Sequence, residues 1–252
     1  MQLESGAAAE THTSQVPVTI QAQLPGSATA KSSRYRSQHD HEAREPKPVL
    51  FTDTPGHGKL RHFALAALAR SDPPTGVMFV VDAASLGASG GASNNNSNNS
   101  SSSLPDAAAY LHDVLLALQR GRGAAKGAAA RDVPVLVAAN KQDLFTALPA
   151  PLVRSALEAE IGRIRDTRAR GLAAVETVGK SEGLGSGDGG MRELDDEEPL
   201  GGSADGKFDF GVLEEYNIHV QIIGGSAKSD DGAADGDGHG LAAWWDWVAA
   251  QL

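Results

Sequence analysis

Four short apolar runs punctuate the chain: Val49-Leu50-Phe51, Val77 to Val81, Val133 to Ala139, and His219 to Ile223. Each is only long enough for a strand, and most are nearly continuous in β-branched or bulky residues instead of alternating with polar ones. That pattern predicts strands of a parallel sheet covered on both faces. Between the runs lie segments with helical spacing, from His57 to about Arg70, from Asp106 to Gln119 and from Ala150 to about Arg168, with a last one from Leu241 to Leu252. This alternation predicts a three-layer α/β domain with right-handed crossovers. A further strand is expected within Val16–Leu24. In the last helix Trp244, Trp247 and Val248 stand at i, i+3 and i+4, so they share a face and are assigned to the core. Trp245 is expected to be the more exposed of the tryptophans.

Three stretches do not fit that rhythm. Residues 87–103 form a Gly/Ser/Asn tract, 179–206 is rich in Gly and acidic residues, and 229–240 is similar. None can bury much apolar surface, so all three are expected to be disordered insertions within one domain spanning 1–252. Composition agrees: 40% hydrophobic and 5% aromatic residues with 29 glycines describe a modest core with long polar additions. The net charge of −10 argues against a nucleic-acid partner, because phosphate backbones are gripped by Lys and Arg. Without cysteine there is no disulfide or thiolate chemistry. No stretch approaches the roughly 18 apolar residues of a membrane span, and the first residues carry no basic or apolar leader, so a soluble chain is expected.

The candidate chemistry sits where strands end. In an open parallel sheet, ligands bind beyond the carboxyl ends of the strands. There the sequence reads Asp53-Thr54-Pro55-Gly56-His57, Asn140-Lys141-Gln142-Asp143 and Gly225-Ser226-Ala227-Lys228. The side chains suit a guanine nucleotide. Asp143 can accept from both the N1–H and the exocyclic amino group of guanine, a charge-assisted pair that adenine does not offer. Asn140 would steady the loop and reach the base, and the stem of Lys141 would pack over the ring. The N–H of Ala227 would face the guanine O6, with Ser226 and Lys228 holding the loop. Asp53 is placed to reach Mg²⁺, and Gly56 to let a backbone N–H approach the γ-phosphate. His57 stands where a side chain orients, or fails to orient, the attacking water.

These segments are similar to the third, fourth and fifth signature motifs of Ras-like GTPases. The continuation Gly58-Lys59-Leu60-Arg61-His62-Phe63 resembles the Arf-related β-subunit family of the signal recognition particle receptor. Thr11 to Gln15 resembles that family's switch I, with either Thr13 or Ser14 as the Mg²⁺ contact. Lys207-Phe208-Asp209-Phe210 and the Trp-rich last helix are also similar to it. The resemblance implies a P-loop GTPase sandwich that binds GTP and Mg²⁺ at the cytoplasmic face of the endoplasmic reticulum membrane. Its implied partner is the receptor α subunit, with ribosome and translocon engaged indirectly. The implied role is a regulated anchor in protein targeting, a slow GTPase at most.

One feature of the family is missing: no G-x-x-x-x-G-K-[ST] occurs in the chain. The first strand, phosphate-binding loop and first helix of the fold, and the family's membrane helix, would precede Met1. Truncation is the preferred explanation, and a degenerate scaffold without nucleotide is the alternative; as a function, a fragment of a translational GTPase is a rival reading. In the Ras-like order the missing strand lies between those at Val49 and Val77. Two other patterns are set aside: Gly185 to Gly190 mimics a dinucleotide loop without flanking elements, and Asp235 to Gly240 mimics a calcium loop without its closing Glu.

Overall fold

The computed structural model describes residues 13–24, 48–70, 74–88, 103–123, 132–181, 199–202, 206–227 and 241–252. The elements are β1 (Val18–Gln23), β2 (Pro48–Asp53), a 3-10 turn (Gly58–Leu60), α1 (His62–Leu68), β3 (Val77–Asp82) and α2 (Ala83–Ala88). They continue with α3 (Ser103–Gly123), β4 (Val133–Asn140), α4 (Ala150–Ser181), a 3-10 helix (Phe210–Tyr216), β5 (Ile218–Gly224) and α5 (Ala242–Ala250). The chain is an α/β protein with strands and helices arranged as in a P-loop GTPase sandwich.

The strands do not form one sheet. β3, β4 and β5 pair in parallel in the order β3-β4-β5, whereas β1 and β2 form a separate antiparallel pair. The expectation of a single covered parallel sheet is therefore corrected for β2, whose Leu50 stands 71% exposed. The reason is geometric: among the described residues β2 has only β1 as a ladder partner, and no pairing joins it to β3. The break falls between the strands at Val49 and Val77, where the Ras-like order places another strand.

Side-chain alternation on β4 builds two cores, one on each face of the sheet. Val133, Val135, Val137 and Ala139 enter one cluster with Phe79 and Val81 of β3, Leu111 and Leu115 of α3, and Leu157 and Ile161 of α4. Leu136 and Ala138 point the other way, into a cluster with Trp244, Trp247 and Val248 of α5. Met78 joins that second cluster, as do Val49 and Phe51 of β2 and Leu24. α5 thus holds the β1–β2 pair against the three-stranded sheet by side-chain packing, including an edge-on contact of Trp245 with Phe51 at 5.8 Å. Trp244 and Trp247 are buried as their spacing predicts, and Trp245 is the more exposed.

Helix limits differ from the sequence reading in instructive ways. α3 and α4 both extend further than expected, α4 as far as Ser181. Its residues after Arg168 include Ala169, Arg170, Leu172, Ala173, Ala174, Glu176 and Lys180, types that favour a helix without needing an apolar stripe, although Gly171, Val175 and Val178 count against it. Most of 87–103 and 179–206, and all of 229–240, lie outside the described residues. At the edge of the second stretch, however, Leu200 is fully buried. Gln119 of α3 clamps its neighbours, donating from Nε2 to the Pro199 carbonyl at 3.2 Å and accepting from the Gly201 N–H at 2.8 Å.

Candidate functional site

The register of the parallel sheet brings the strand ends to one edge. Asp82 of β3 is opposite Asn140 of β4, and Ala139 is opposite Gly224 of β5. Each strand there gives way to a polar segment, so the loops after β4 and β5 become neighbours. Backbone hydrogen bonds lace them together: Gln142 N–H donates to the Gly225 carbonyl at 3.1 Å, and Gly225 N–H to the Ala139 carbonyl at 3.0 Å.

Two side-chain contacts complete the link. The Asn140 Oδ1 accepts from its neighbour Lys141 N–H at 2.8 Å and from Ala227 N–H at 2.9 Å. The Ser226 hydroxyl donates to Oδ1 of Asp143 at 2.7 Å. One carboxylate oxygen of Asp143 is thereby occupied. The other has no partner among the described residues, and the side chain stands exposed at the edge. An exposed, oriented carboxylate of this kind can accept hydrogen bonds from a ligand that offers a pair of donors. One detail differs from the sequence reading. The Ala227 N–H, expected to face a ligand, is turned onto Asn140. Lys228 lies outside the described residues.

Lys141 takes a left-handed backbone conformation with φ of 69°. A non-glycine residue there is uncommon and marks a backbone held by its surroundings. Its Nζ lies 2.6 Å from Oδ2 of Asp82. Asp82 was not singled out from the sequence; the available signal was an acidic residue directly closing an apolar strand before Ala83-Ala84-Ser85. Its other oxygen caps α2, accepting from Ala84 N–H at 3.0 Å and Ser85 N–H at 3.2 Å. Partial burial works to raise the Asp82 pKa. The hydrogen bond and charge of Lys141 and the two backbone donors outweigh it and hold the carboxyl below its ordinary value.

Gly225 is required by packing. A Cβ there would come within 2.8 Å of the Trp244 indole, whose Nε1–H donates to the Ile223 carbonyl at 3.1 Å. The last helix therefore presses directly against the loop that carries Ser226.

Asp53, Gly56 and His57 belong to the segment after β2. Ser14 donates its hydroxyl to Oδ2 of Asp53 at 2.6 Å, while Thr13 is exposed and makes no such contact. No hydrogen bond joins this group to the Asn140–Asp143 group among the described residues. Two hard oxygen donors open to solvent suit Mg²⁺, which takes few protein ligands and completes its shell with phosphate oxygens and water. Among the described residues no cluster of three His, Cys, Asp or Glu side chains exists to bind a metal unaided. Around Gly56 there is open space. The exposed His57 accepts at Nδ1 from Lys59 N–H at 3.3 Å, capping the Gly58–Leu60 turn.

The same segment is tied to α3. Arg61 pairs with Asp106 at 2.7 Å and stacks over the Tyr110 ring at 4.6 Å from its centroid. The Tyr110 hydroxyl also shares a hydrogen bond with Thr54. Burial raises the Tyr110 pKa, with that bond and Arg61 working against it. Asp106 lies in the first turn of α3. A crossover helix runs back antiparallel to its strands, so this tether draws the Asp53–His57 segment toward the carboxyl edge.

A family model of the signal recognition particle receptor beta subunit matches residues 1–214. The chain belongs to this family. The beta subunit of the receptor from Saccharomyces cerevisiae is 30% identical over 129 residues, covering 51% of this chain and 44% of the yeast protein. The match thus spans less than half the length of that relative. Among solved structures, the signal recognition particle receptor SRb-GTP/SRX complex from Chaetomium thermophilum is 32% identical with a TM-score of 0.63. It covers 97% of this chain and 81% of its own. The SRb-GDP-Mg form from the same organism is 35% identical with a TM-score of 0.55 and 79% coverage of each chain. The mammalian receptor, 21% identical with a TM-score of 0.57, shares the fold.

Proposed function

We propose that this chain is the guanine-reading part of a GTP-binding receptor β subunit, which holds the receptor α subunit at the endoplasmic reticulum membrane during co-translational targeting. The carrying observation is the cross-linking of the loops after β4 and β5, which presents the Asp143 carboxylate at the sheet edge. Asp143 reads the N1–H and amino group of guanine. Asn140 and Ser226 brace the loops, Lys141 flanks the base with its stem, and Ala227 and Lys228 complete the fifth motif.

Asp53 and Ser14 would hold Mg²⁺, with Thr13 the lesser candidate, because Ser14 is the hydroxyl already on Asp53. The ion would neutralise phosphate charge. Gly56 leaves room for a phosphate, and His57 would meet the attacking water after leaving its cap on Lys59. No G-x-x-x-x-G-K-[ST] motif, which in this fold joins a first strand to a first helix, occurs in the sequence. The separation of β2 from β3 is the place where such a strand would belong.

One relative is an SRb-GTP/SRX complex and another is an SRb-GDP-Mg form. These support nucleotide-dependent docking of a receptor partner through the switch segments at Ser14 and Asp53–His57. Membrane attachment would come from outside the described helices, none of which is long and apolar enough to cross a bilayer.

Competition titration tests this reading. A fluorescent GTP analogue bound to the chain should be displaced by GTP and not by ATP. Purified receptor α subunit should be retained more strongly with GTP than with GDP. Equal displacement by ATP would contradict the assignment of the base reader, and retention independent of nucleotide would contradict the regulated partner.

A further inference from the structure

The Lys141 side chain is fixed at both ends. Its backbone N–H is held by Asn140 Oδ1 at 2.8 Å in a left-handed conformation, and its Nζ lies 2.6 Å from Asp82 Oδ2. Asp82 is itself immobilised, because its other oxygen caps α2 through Ala84 and Ser85. The four-carbon stem must therefore span the edge between the ends of β4 and β3, which the sheet register places opposite each other. A lysine stem loses more rotamer freedom than most side chains when it is ordered. Where that ordering precedes ligand binding, the ligand need not supply it.

We propose that Asp82 is a positioning residue for the base site, holding the Lys141 stem as a preformed wall beside Asp143. This rests on the guanine-nucleotide reading above and adds to it a residue outside the three motifs. The plain alternative is an exposed ion pair that contributes little, with Asp82 serving only as a helix cap. The alternatives separate because capping and anchoring use different oxygens. Serine at position 82 can still cap α2 but offers no anion to Lys141.

The test is a titration of the full chain with a fluorescent GDP analogue, using wild type, Asp82→Ser, Lys141→Met and the double variant. Asp82→Ser should weaken binding about tenfold, equivalent to roughly 1.4 kcal/mol. The double variant should bind no more weakly than Lys141→Met alone, since Asp82 acts only through Lys141. A stem packed on a ring face is indifferent to ring substituents, so the ratio of GDP to XDP affinity should stay at the wild-type value. Circular dichroism melting verifies folding, and Asp82→Asn, another capping residue, replaces the serine variant if that one melts early. Unchanged affinity, additive losses in the double variant, or a shifted GDP to XDP ratio would each overturn the positioning role. Failure of the wild type to bind either nucleotide would instead overturn the guanine reading, and this inference with it.

Discussion

Ser226 and Asp143 are 83 positions apart in sequence and 2.7 Å apart in space, joined by a hydrogen bond from hydroxyl to carboxylate. That bond fixes which oxygen of Asp143 faces the loop and which faces outward. Hydrogen bonds to charged groups contribute roughly 1.5–3 kcal/mol. Because this one is partly exposed, the lower end applies. Ser226→Ala should weaken guanine-nucleotide binding about tenfold, the equivalent of roughly 1.4 kcal/mol, and change the melting temperature little. Calorimetric titration with GDP checks the first, and scanning calorimetry the second.

Gly225→Ala probes the seat of the same loop on the last helix. The added methyl would lie 2.8 Å from the Trp244 indole, inside any tolerable contact. The ring has little freedom to retreat, because it is buried and its Nε1–H is engaged by Ile223. Overpacking of this kind typically costs about 1–3 kcal/mol. Urea unfolding should show a lowered midpoint with an unchanged slope.

Gln119→Leu should also destabilise, and without touching the edge. The substitution preserves apolar bulk but strands the Pro199 carbonyl and the Gly201 N–H. Each unsatisfied group costs about 1–3 kcal/mol when buried. Partial access to water at 199–202 would lessen the sum. The expected result is a lower urea midpoint with nucleotide affinity unaltered.

Acid sensitivity has an identifiable contributor on α3. Burial works to raise the Asp113 pKa, but the hydrogen bond and charge of Arg168, whose guanidinium donates to Oδ1 at 2.9 Å, together with the neighbouring His112, outweigh it, so the folded-state value lies below the ordinary one. A carboxyl depressed in the folded state stabilises the protein above its unfolded pKa, near 3.9, and that contribution is lost as pH falls through the lower folded value. Asp113→Asn should therefore flatten the stability profile below about pH 4. Acid titration followed by circular dichroism, with wild type alongside, checks the sign. A steeper profile in the variant would contradict it.

The parts of the fold readable from sequence were those written in local pattern. β4 reads as an apolar run because both its faces are buried, and the spacing of Trp244, Trp247 and Val248 marked the buried face of α5. The motif segments stood out because each closes an apolar run. What stayed hidden depends on contacts between distant residues. Nothing local tells β2 to pair with β1 and stand apart from β3, since partner choice is set across the sheet. Leu200 lies in a Gly-rich, acidic neighbourhood, and its place in the core is set by distant residues, with Gln119 of α3 holding Pro199 and Gly201 on either side of it. Asp82 escaped notice because one acidic residue after a strand is an ordinary helix cap until Lys141 is seen on its second oxygen. The Ala227 N–H was expected to face outward, and the Asn140 side chain that captures it is 87 positions away.

The base-reading role of Asp143 is the centre of the functional account, and exchange of its carboxylate for an amide tests it most directly. The carboxylate accepts from the guanine amino group, while an amide brings a donor that suits the xanthine carbonyl in the same place. Calorimetric titration of wild type and Asp143→Asn with GTP and XTP should show wild type preferring GTP and the variant preferring XTP, with folding intact by circular dichroism. A variant that keeps the wild-type preference for GTP would show that the base is read elsewhere and would contradict the account.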